Sequence, residues 1–489
     1  AVLVTIVLAQ TGSVRIITRP RVPSTENLDR LNMALNWYVR VPLDGPLDGI
    51  GTVQVLPRGL GERMTTEVFV QTLAGTAYLF DAETGTLRWK TPVGSLLYQG
   101  VLPAAANEQS IIVNRREFFY VLNRETGIQR VYKRIEGVKK YGYRMESVPT
   151  AGPAADDDIV AFSLRDRVVA YALPDFDKIA AMRDKPAALI EQLKEGSVQP
   201  LEAWKYYDPS LQLLSSPVLG TDRAGLIAED GRFLSVDREN GLSKFTFKVG
   251  NPTTPLVSAG NVALVGSQDY FVYAFDMYRG ALMWRFAAGA PVVQPMTLNE
   301  VDLFVRAENR GLFRVDKYYG QSYWMAPDAV KFLAVHYLRD RNGKFVLDRQ
   351  GKVLAKYVYA TDSQERLLIL DGDRGSVLAR FDTSLWKLPT TNGWTDRVYL
   401  ANGDGQLVCL RPRDSRHPQF VRVNLPPPSK VPAGPPPEKK LDTDMEKKDP
   451  DKMEKKDAEK KAARIAPRVT PALTALERSL RDDARMTKE

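Results

Sequence analysis

The chain has 489 residues, of which 44% are hydrophobic, and it contains 34 glycines and 32 prolines. This composition is typical of a turn-rich β protein with a substantial core, and the net charge of +9 constrains the choice of partner only weakly. The one cysteine, Cys409, excludes an intramolecular disulfide, a cysteine-based zinc cluster and covalent c-type haem attachment. The two histidines, His336 and His417, lie in stretches that the sequence predicts to be irregular, which argues against a histidine-based metal site.

The chain opens with an apolar run, AVLVTIVLA, that is followed by polar residues, QTGS. The run is too short to span a bilayer. We interpret residues 1–23 as a signal-peptide remnant and N-terminal arm, with Val7 and Ala9 as the small residues before a cleavage point. An ordinary edge strand is the alternative. The signal-peptide interpretation predicts an exported protein of the periplasm or cell envelope.

A short helix and then an isolated strand are predicted next. Ser24 can cap a helical turn with Glu26 near its start. The segment ALNWYVRVPL, which contains Trp37, then resembles the fourth, outer strand of a sheet, although no other strands precede it. The last repeat of the chain lacks such a strand. We therefore predict that the strand around Trp37 pairs with the segment 398–410 and closes a ring of sheets.

The stretch 68–89, VFVQTLAGTAYLFDAETGTLRW, predicts three strands joined by two tight turns. The Asp81 carboxylate can accept hydrogen bonds from the backbone of the second turn, and Gly85 can adopt positive φ there. The third strand delivers Trp89. Three strands and two turns make most of a four-stranded antiparallel sheet, which cannot cover both of its own faces, so repetition is expected.

The same form recurs with varying fidelity in seven further segments, 111–131, 158–174, 225–245, 262–284, 301–324, 357–375 and 397–411. The positions equivalent to Asp81 are 123, 174, 237, 276, 316, 371 and 411. A period of about forty residues with four short strands per unit indicates a β-propeller. We predict an all-β fold, an eight-bladed propeller of four-stranded antiparallel blades over residues 24–425.

Two insertions interrupt the repeats. Residues 175–203 have apolar side chains at helical spacing and predict a short surface helix pair that returns to the blade at Trp204. Residues 325–356 contain Asn342-Gly343, which predicts a hairpin. Insertions of this kind fall in surface loops and often carry recognition.

The composition changes near the C-terminus. Residues 426–489 begin as a Pro-rich linker and continue as a mixed-charge tail with little apolar content, which predicts a segment that is disordered or partly helical. A solvated tail is one interpretation, and a tether or docking helix is the other. On either interpretation the tail is expected to be dispensable for folding of the propeller.

The repeat A-(L/F)-D-x-x-T-G-x-x-x-W resembles the PQQ-like (pyrroloquinoline-quinone-type) β-propeller repeat, and the resemblance covers about residues 37–411. The residues that carry this repeat pattern, with Trp37 as the closing strand, are Trp37, Asp81, Thr84, Gly85, Trp89, Asp276, Gly280, Trp284, Asp316, Gly320 and Trp324. In that family the Trp packs between neighbouring blades, as its large apolar area suits. The motif is specific for the fold and says little about activity.

The resemblance implies two kinds of function. Quinone-dependent dehydrogenases of the family typically carry an adjacent cysteine pair, a calcium site and a catalytic Asp beside the quinone, and one cysteine cannot supply that pair. Non-catalytic proteins of the BamB-like branch assist outer-membrane protein assembly. We favour a non-catalytic scaffold without catalytic residues, metal or cofactor, whose partners are proteins. A carbohydrate or cell-wall binding propeller is a third hypothesis.

On this hypothesis the protein is a monomer or part of a larger envelope complex, does not bind nucleic acid, and contacts the membrane only indirectly. The candidate binding residues are Tyr278, Arg279, Tyr318 and Tyr319, because two neighbouring repeats replace the polar turn with aromatics. Aromatic and arginine clusters on a surface are typical of protein–protein hot spots. The alternative is that these tyrosines fold back and pack over the blade edges.

Two further segments favour ordinary structural roles. Residues 130–144 interleave cations with tyrosines, but glutamates dilute the charge and favour a solvated loop. The three consecutive aspartates 156–158 alternate faces at the entry of a strand and favour solvation over cation binding. Cys409 falls in a predicted interior strand, which favours a buried, inert thiol.

Overall fold

The structure is a computed structural model that describes residues 20–59, 64–94, 101–130, 142–173, 201–213, 215–349 and 351–421. Every described residue belongs to the compact unit Ala1–Asn424. The interpretations of residues 1–9 and 426–489, and most of the insertion 175–203, concern residues outside the described ranges. The described residues form eight four-stranded sheets, which confirms the predicted eight-bladed β-propeller.

The helix α1 (Thr25–Arg30) precedes the first strand, and Ser24 caps it by accepting from the backbone N–H of Asn27 at 3.4 Å. This confirms the predicted capped turn. The strands in the first half of the chain are β1 (Met33–Arg40), β2 (Ile50–Arg58), β3 (Thr65–Thr72), β4 (Thr76–Asp81), β5 (Leu87–Pro92), β6 (Ala105–Ala106), β7 (Ser110–Arg115), β8 (Phe118–Asn123), β9 (Tyr143–Arg144), β10 (Ala154–Ala155), β11 (Ile159–Leu164), β12 (Arg167–Ala172), β13 (Glu202–Tyr207), β14 (Val218–Leu219), β15 (Arg223–Ile227), β16 (Arg232–Asp237) and β17 (Ser243–Lys248).

The strands in the second half are β18 (Val257–Ala259), β19 (Val262–Gly266), β20 (Phe271–Asp276), β21 (Ala281–Ala287), β22 (Thr297–Leu298), β23 (Asp302–Ala307), β24 (Gly311–Asp316), β25 (Ser322–Ala326), β26 (Lys331–Tyr337), β27 (Ala355–Thr361), β28 (Leu367–Asp371), β29 (Val377–Phe381), β30 (Leu388–Thr390), β31 (Val398–Ala401) and β32 (Gln406–Pro412). Blades 1 to 7 each take four consecutive strands, from β2–β5 to β26–β29. The first strands of several neighbouring blades contact each other, namely β30 and β2, β6 and β10, β10 and β14, β14 and β18, and β18 and β22.

Blade 8 is completed by the N-terminal strand, as the sequence predicted. Its order is β1-β32-β31-β30, and the antiparallel register places Trp37 opposite Cys409. Burial raises the pKa of the Cys409 thiol well above its ordinary value, as expected for an unreactive buried thiol. The outermost strand of the last blade therefore comes from the start of the propeller, which holds the ring closed.

The hydrophobic core consists of eight clusters, and each cluster lies between two neighbouring blades. The cluster that joins blades 8 and 1 contains Trp37, Val68 and Tyr399. Because a four-stranded sheet must bury both of its faces, each blade contributes one face to each of two clusters. Eight clusters for eight blades show that the ring is closed.

At five of these junctions the aromatic residue of one blade, a Trp in four of them, meets the turn Gly of the next blade. Trp89 of blade 1 donates from Nε1 to the carbonyl of Arg124 in blade 2, at 2.9 Å. A Cβ at Gly127, which has φ +68°, would lie 2.5 Å from the Trp89 ring. The same pairing joins Trp37 to Gly85, Phe245 to Gly280, Trp284 to Gly320, and Trp324 to Gly375. The ring of one blade therefore occupies the space that the missing side chain of the next blade leaves free.

The third repeat differs from the sequence prediction in its register. Trp204 pairs opposite Ala170, as Trp89 pairs opposite Leu79, so Trp204 occupies the repeat Trp position of blade 3, and the chain returns to the blade there as predicted. The position equivalent to Asp81 is then Ala172, and the predicted position 174 was wrong. The prediction was wrong because the insertion replaces the second turn, which removes the Asp and Gly that mark the register elsewhere.

The second predicted insertion, 325–356, was too long. Residues 331–337 form β26, the inner strand of blade 7, so only residues 338–354 are inserted, between β26 and β27. The predicted hairpin is confirmed. Gly343 has φ +74°, and the backbones of Arg339 and Phe345 form an antiparallel β-bridge on either side of it. His336 is correspondingly not in an irregular stretch: it is buried in β26, with Nδ1 3.0 Å from Oδ2 of Asp396.

Candidate protein-binding surface

The connections of each blade emerge on two opposite faces of the propeller. The first-to-second and third-to-fourth strand connections share one end of each antiparallel sheet, and the others share the opposite end. We name the former the turn face, because it carries the repeated Asp–Gly turn. The insertion 338–354 joins the first two strands of blade 7 and therefore also lies on the turn face.

The predicted turn chemistry is present in the two aromatic turns. Asp276 accepts through Oδ1 from the backbone N–H of Tyr278 at 2.9 Å and of Arg279 at 3.0 Å. Asp316 accepts in the same way from Tyr318 and Tyr319, both at 2.7 Å. A carboxylate that accepts two backbone donors fixes the turn, so the following side chains are presented in a defined direction.

All four predicted binding residues are exposed. The exposed fraction is 59% for Tyr278, 57% for Tyr318 and 72% for Tyr319, and 68% for the side chain of Arg279. The structure places them at equivalent positions of the adjacent blades 5 and 6, on the turn face. We call Tyr278, Arg279, Tyr318 and Tyr319 the tyrosine patch.

The two turns of the tyrosine patch are coupled through one tryptophan. Trp284 follows the blade 5 turn in β21, and its ring packs under Gly320 of the blade 6 turn, whose Cβ would approach it to 2.5 Å. Gly320 also donates its N–H to the carbonyl of Asp316 at 2.9 Å. The tyrosines therefore rest on a packed junction between two blades.

A buried polar network supports the blade 6 turn from below. Arg314 is fully buried and donates from Nε to Oδ2 of Asp302 at 2.8 Å. Its other nitrogens donate to the carbonyls of Gly372 at 3.0 Å and Val353 at 2.6 Å. The Tyr337 hydroxyl donates to the same Asp302 oxygen at 2.5 Å. Since Gly372 and Val353 belong to blade 7, the network fixes the two blades and the inserted segment together.

Lys317, the residue before Tyr318 of the tyrosine patch, has a buried side chain. Burial lowers the pKa of the Lys317 ammonium, and the carboxylates of Glu300, Asp302 and Asp316 oppose that shift. Its Nζ lies 5.0 Å from the centre of the Tyr318 ring. The contact is a cation–π interaction, which orients the Tyr318 ring above the lysine.

Sequence reasoning missed the apolar residues beside the patch. Leu282 and Met283 in β21, the strand that follows the blade 5 turn, are 37% and 46% exposed. Their signal was the bulge that precedes Trp284: the register shifts between Ala274 and Phe275, which turns an additional apolar side chain outward. The blade 5 turn of the patch is thus followed by an outer strand, β21, that exposes apolar side chains.

The other segments singled out from the sequence have structural roles where they are described. Asp156 accepts through Oδ1 from the backbone N–H of Asp158 and Ile159, both at 3.0 Å, and its Oδ2 pairs with Arg238. Most of residues 130–144 lies outside the described ranges. In the part of the chain that the structure describes, no group of three metal-ligating side chains occurs, and no helix is long and apolar enough to cross a membrane.

A channel of about 890 Å³ runs along the inner strands of the propeller. Its lining is mostly apolar, with paired alanines from β6 and β10 and larger side chains such as Leu298, Phe332 and Trp394. Of the described residues that line it, Arg306 and Lys331 carry charge. The resemblance implies that a quinone cofactor would require a calcium site, a cysteine pair and an aspartate beside it. The described lining contains no Asp, Glu or Cys, so these residues do not fit that group.

Comparison with known proteins agrees with this fold. The model of a PQQ repeat family, described as outer membrane protein assembly factor BamB, matches residues 229–384, which contain both aromatic turns. No curated protein sequence matches the chain. The family match confirms the PQQ-like β-propeller repeat that the sequence indicated, and the eight blades extend the same architecture around the ring.

Two solved structures share the architecture at low sequence identity. BamB from Moraxella catarrhalis matches with a TM-score of 0.52 at 13% identity, over 79% of this chain and 99% of that chain. The computationally designed Ika8 protein matches with a TM-score of 0.50 at 13% identity, over 75% of this chain and 97% of that chain. At this identity the likeness concerns the fold alone.

Proposed function

We propose that the protein is a non-catalytic exported scaffold that binds a protein partner through the tyrosine patch, as a BamB-like component of envelope or outer-membrane protein assembly. The observation that carries this proposal is the pair of rigid, aromatic turns on adjacent blades. Tyrosine offers a large contact area with few rotatable bonds, so its burial against a partner costs little side-chain entropy. The turn hydrogen bonds remove most of the backbone freedom that binding would otherwise restrict.

The surroundings of the patch support a protein partner. Exposed apolar area from Leu282 and Met283 adjoins the tyrosines on β21, and Arg279 supplies a cation with a 3.7 Å contact to Asp276. Aromatic, methionine and arginine side chains are the types enriched at the centres of protein interfaces. The support beneath the patch is a packed blade junction, so binding requires no rearrangement of the fold.

Two other functions receive less support. A quinone-dependent dehydrogenase conflicts with the lining of the channel, which lacks the groups that such a cofactor requires. A carbohydrate-binding propeller would be expected to expose tryptophan, yet all seven tryptophans are buried or half-buried. The proposal therefore includes no catalytic residue and no cofactor.

The location and partners belong to the same proposal. Export to the periplasm or cell envelope is supported by the description of the matching family, outer membrane protein assembly factor BamB. We propose a monomer or a subunit of a larger envelope complex, with no nucleic-acid partner and only indirect membrane contact.

The double variant Tyr278→Ala/Tyr318→Ala tests the patch. Loss of hot-spot aromatics costs about 2 kcal/mol or more, so capture of the partner should weaken about thirtyfold. The free energy of unfolding should change by about 0.5 kcal/mol or less, because both side chains are exposed. The measurement is affinity capture of the tagged protein from its native envelope, followed by titration of the purified partner.

The matched control is Tyr270→Ala. Tyr270 is 52% exposed in the β19–β20 turn of blade 5, on the face opposite to the patch, and its loss should leave capture unchanged. If the double variant unfolds early and still binds when folded, the tyrosines are packing residues and the proposal fails. Equal loss of capture in Tyr270→Ala would also contradict it.

A further inference from the structure

A second, smaller cavity of about 260 Å³ lies at the junction of blades 6 and 7. It is lined by the β23–β24 turn, the connection from β25 to β26, and the β27–β28 turn, all of which lie on the face opposite to the turn face. Its charged side chains are Arg306, Asp328, Asp362, Arg366 and Arg380. We call this cavity the seam pocket.

Two of the three arginines in the seam pocket are neutralised by its two aspartates. Arg366 donates from Nε to Oδ2 of Asp362 at 2.7 Å, and Arg380 pairs with Asp328. Burial would raise the pKa of Asp362, but hydrogen bonds from the backbone and side chain of Arg366 outweigh it and lower that pKa. Both aspartates therefore already pair with arginines of the pocket.

Arg306 is the exception. Its side chain makes no hydrogen bond or ion pair with any residue in the described ranges, and its Nε is buried without an acceptor. Arg306 is half-buried near the end of β23, where it lines both the seam pocket and the channel. A buried guanidinium N–H that loses water on folding without gaining an acceptor is unfavourable unless a ligand supplies one. The pocket retains one uncompensated positive charge.

We propose that the seam pocket binds a carboxylate, with Arg306 as the residue that recognises it. A guanidinium presents planar paired donors that match the two oxygens of a carboxylate. One excess positive charge balances a monoanion, whereas a dianion such as phosphate would leave the pocket with a net negative charge. The volume lies below the usual 300–1,000 Å³ of ligand pockets, so a small carboxylate or the end of one acidic side chain fits best.

Acetate binding to the full chain tests this site. Purified protein in Tris chloride at constant ionic strength is titrated with acetate, and the dissociation constant is measured by saturation-transfer NMR on the acetate methyl group. Binding to the wild type should saturate. Arg306→Gln removes the charge, and the affinity should fall by about tenfold or more, since a charge-assisted hydrogen bond is lost.

The control variant is Arg310→Gln. Arg310 is exposed on the same β23–β24 turn and does not line the pocket, so its loss should leave acetate affinity unchanged. Because Arg306 has no partner in the described structure, Arg306→Gln should also melt at the same temperature as the wild type without acetate. A lower melting temperature for Arg306→Gln would mean that Arg306 has a structural role, and it would overturn the proposal.

Two capped tripeptides distinguish a free carboxylate from an acidic side chain of a protein. Acetyl-Gly-Glu-Gly-amide and its Gln counterpart are titrated beside acetate. Saturable binding of acetate assigns a free small carboxylate, and binding of only the Glu peptide assigns a side chain of a protein partner. The site would be overturned if neither acetate nor the Glu peptide binds saturably, if binding survives in Arg306→Gln, or if phosphate binds more tightly than both of these probes. The tyrosine patch lies on the opposite face, so its test is independent of this result.

Discussion

At the residue scale, the paired Trp and Gly explain why the repeat signature is so easily recognised. The ring of Trp89 lies where a side chain of residue 127 would be, and Thr91 also approaches that position, with Oγ1 2.7 Å from the site of a Cβ. Neither residue of the pair can change without affecting two blades. The signature therefore records contact between blades as well as the turn inside one blade.

Gly127→Ala should destabilise the protein more than Gly343→Ala does. Both glycines have positive φ, +68° and +74°, so each alanine meets a backbone penalty of about 1–2 kcal/mol. At Gly127 the new methyl group also overlaps Trp89, and overpacking adds about 1–3 kcal/mol. Gly343 has open space around it. Denaturant unfolding of both variants measures the difference, and equal losses would show that Trp89 moves aside without cost.

Single residues also mark the limit of what the sequence could reveal. Arg306 is one arginine in an apolar strand, and nothing in its neighbourhood along the chain shows that Asp328 and Asp362 pair with other arginines. His336 was placed in an irregular stretch because the two connections around β26 hide the repeat signal. Its hydrogen bond with Asp396 in blade 8 joins positions sixty residues apart, a relation that no local pattern contains.

At the element scale, the turn between the third and fourth strands behaves as a transferable unit. Asp81 accepts through Oδ1 from the backbone N–H of Thr84 at 2.9 Å. In blade 2 the same position is Asn123, which accepts from Glu125 at 2.9 Å and Thr126 at 3.0 Å. The turn therefore requires a side-chain oxygen rather than a charge, and the charge of Asp81 serves a second contact, with Arg88 at 2.8 Å.

Asp81→Asn should remove the charge contact and keep the turn. Burial would raise the pKa of Asp81, but hydrogen bonds from Arg88 and Thr84 outweigh it and lower that pKa. A lowered folded-state pKa means stability that is present above the unfolded pKa of about 3.9 and is lost as the pH falls through the folded value. The variant should be less stable than the wild type by about 1 kcal/mol or less at pH 7.

The difference in free energy of unfolding should shrink as the pH is lowered from 7 through 4 toward the lowest pH at which both proteins still give a cooperative transition. Denaturant unfolding at each pH measures it. A difference that stays constant across this range would mean that the carboxylate acts only as a hydrogen-bond acceptor, and that Asn123 replaces it completely. A larger loss than expected would mean that Asn does not hold this turn.

The blades whose repeats keep both turns were placed correctly from the sequence. Blade 3, whose repeat loses the second turn, was not. Blades 1, 5 and 6 keep Asp, Gly and Trp, and their strands fall where the pattern placed them. In blade 3 the register was misplaced by two residues because the insertion separates Ala172 from Trp204. Four of the first strands, β6, β10, β14 and β22, have two residues each, too few for a periodic signal.

At the scale of the whole molecule, the ring is closed by contacts between its two ends. Trp37 donates from Nε1 to the carbonyl of Ala82 at 2.9 Å, and the Tyr399 hydroxyl donates to the same carbonyl at 3.2 Å. Arg397, which is 1% exposed, donates to Glu83 at 3.0 Å. Blade 1 is thus held by the strand that precedes it and by the strands that end the propeller. The sequence predicted this closure from an isolated strand and an incomplete last repeat.

Closure also predicts opposite outcomes for removal of the two chain ends. Removal of residues 422–489 should leave the melting transition unchanged, because the tail composition cannot compensate for the entropy of ordering. Removal of residues 1–40 deletes β1, exposes the edge of β32 and leaves the cluster between blades 8 and 1 open. That protein should melt earlier or associate through the open edge. Thermal unfolding and gel filtration of the two shortened proteins measure both effects.

Trp37→Ala tests the same closure in a chain that keeps every strand. Loss of a buried Trp costs about 3–5 kcal/mol, whereas Leu35→Ala, on the same strand and 40% exposed, should cost about 0.5 kcal/mol or less. The Trp37 ring fills the space above Gly85 and bonds to Ala82, so its loss weakens blade 8 and blade 1 together. Denaturant unfolding should show a lower midpoint, with blades 8 and 1 the first to lose hydrogen-exchange protection. Uniform loss of protection around the ring would mean that the propeller unfolds as one cooperative unit with no special role for the closing strand.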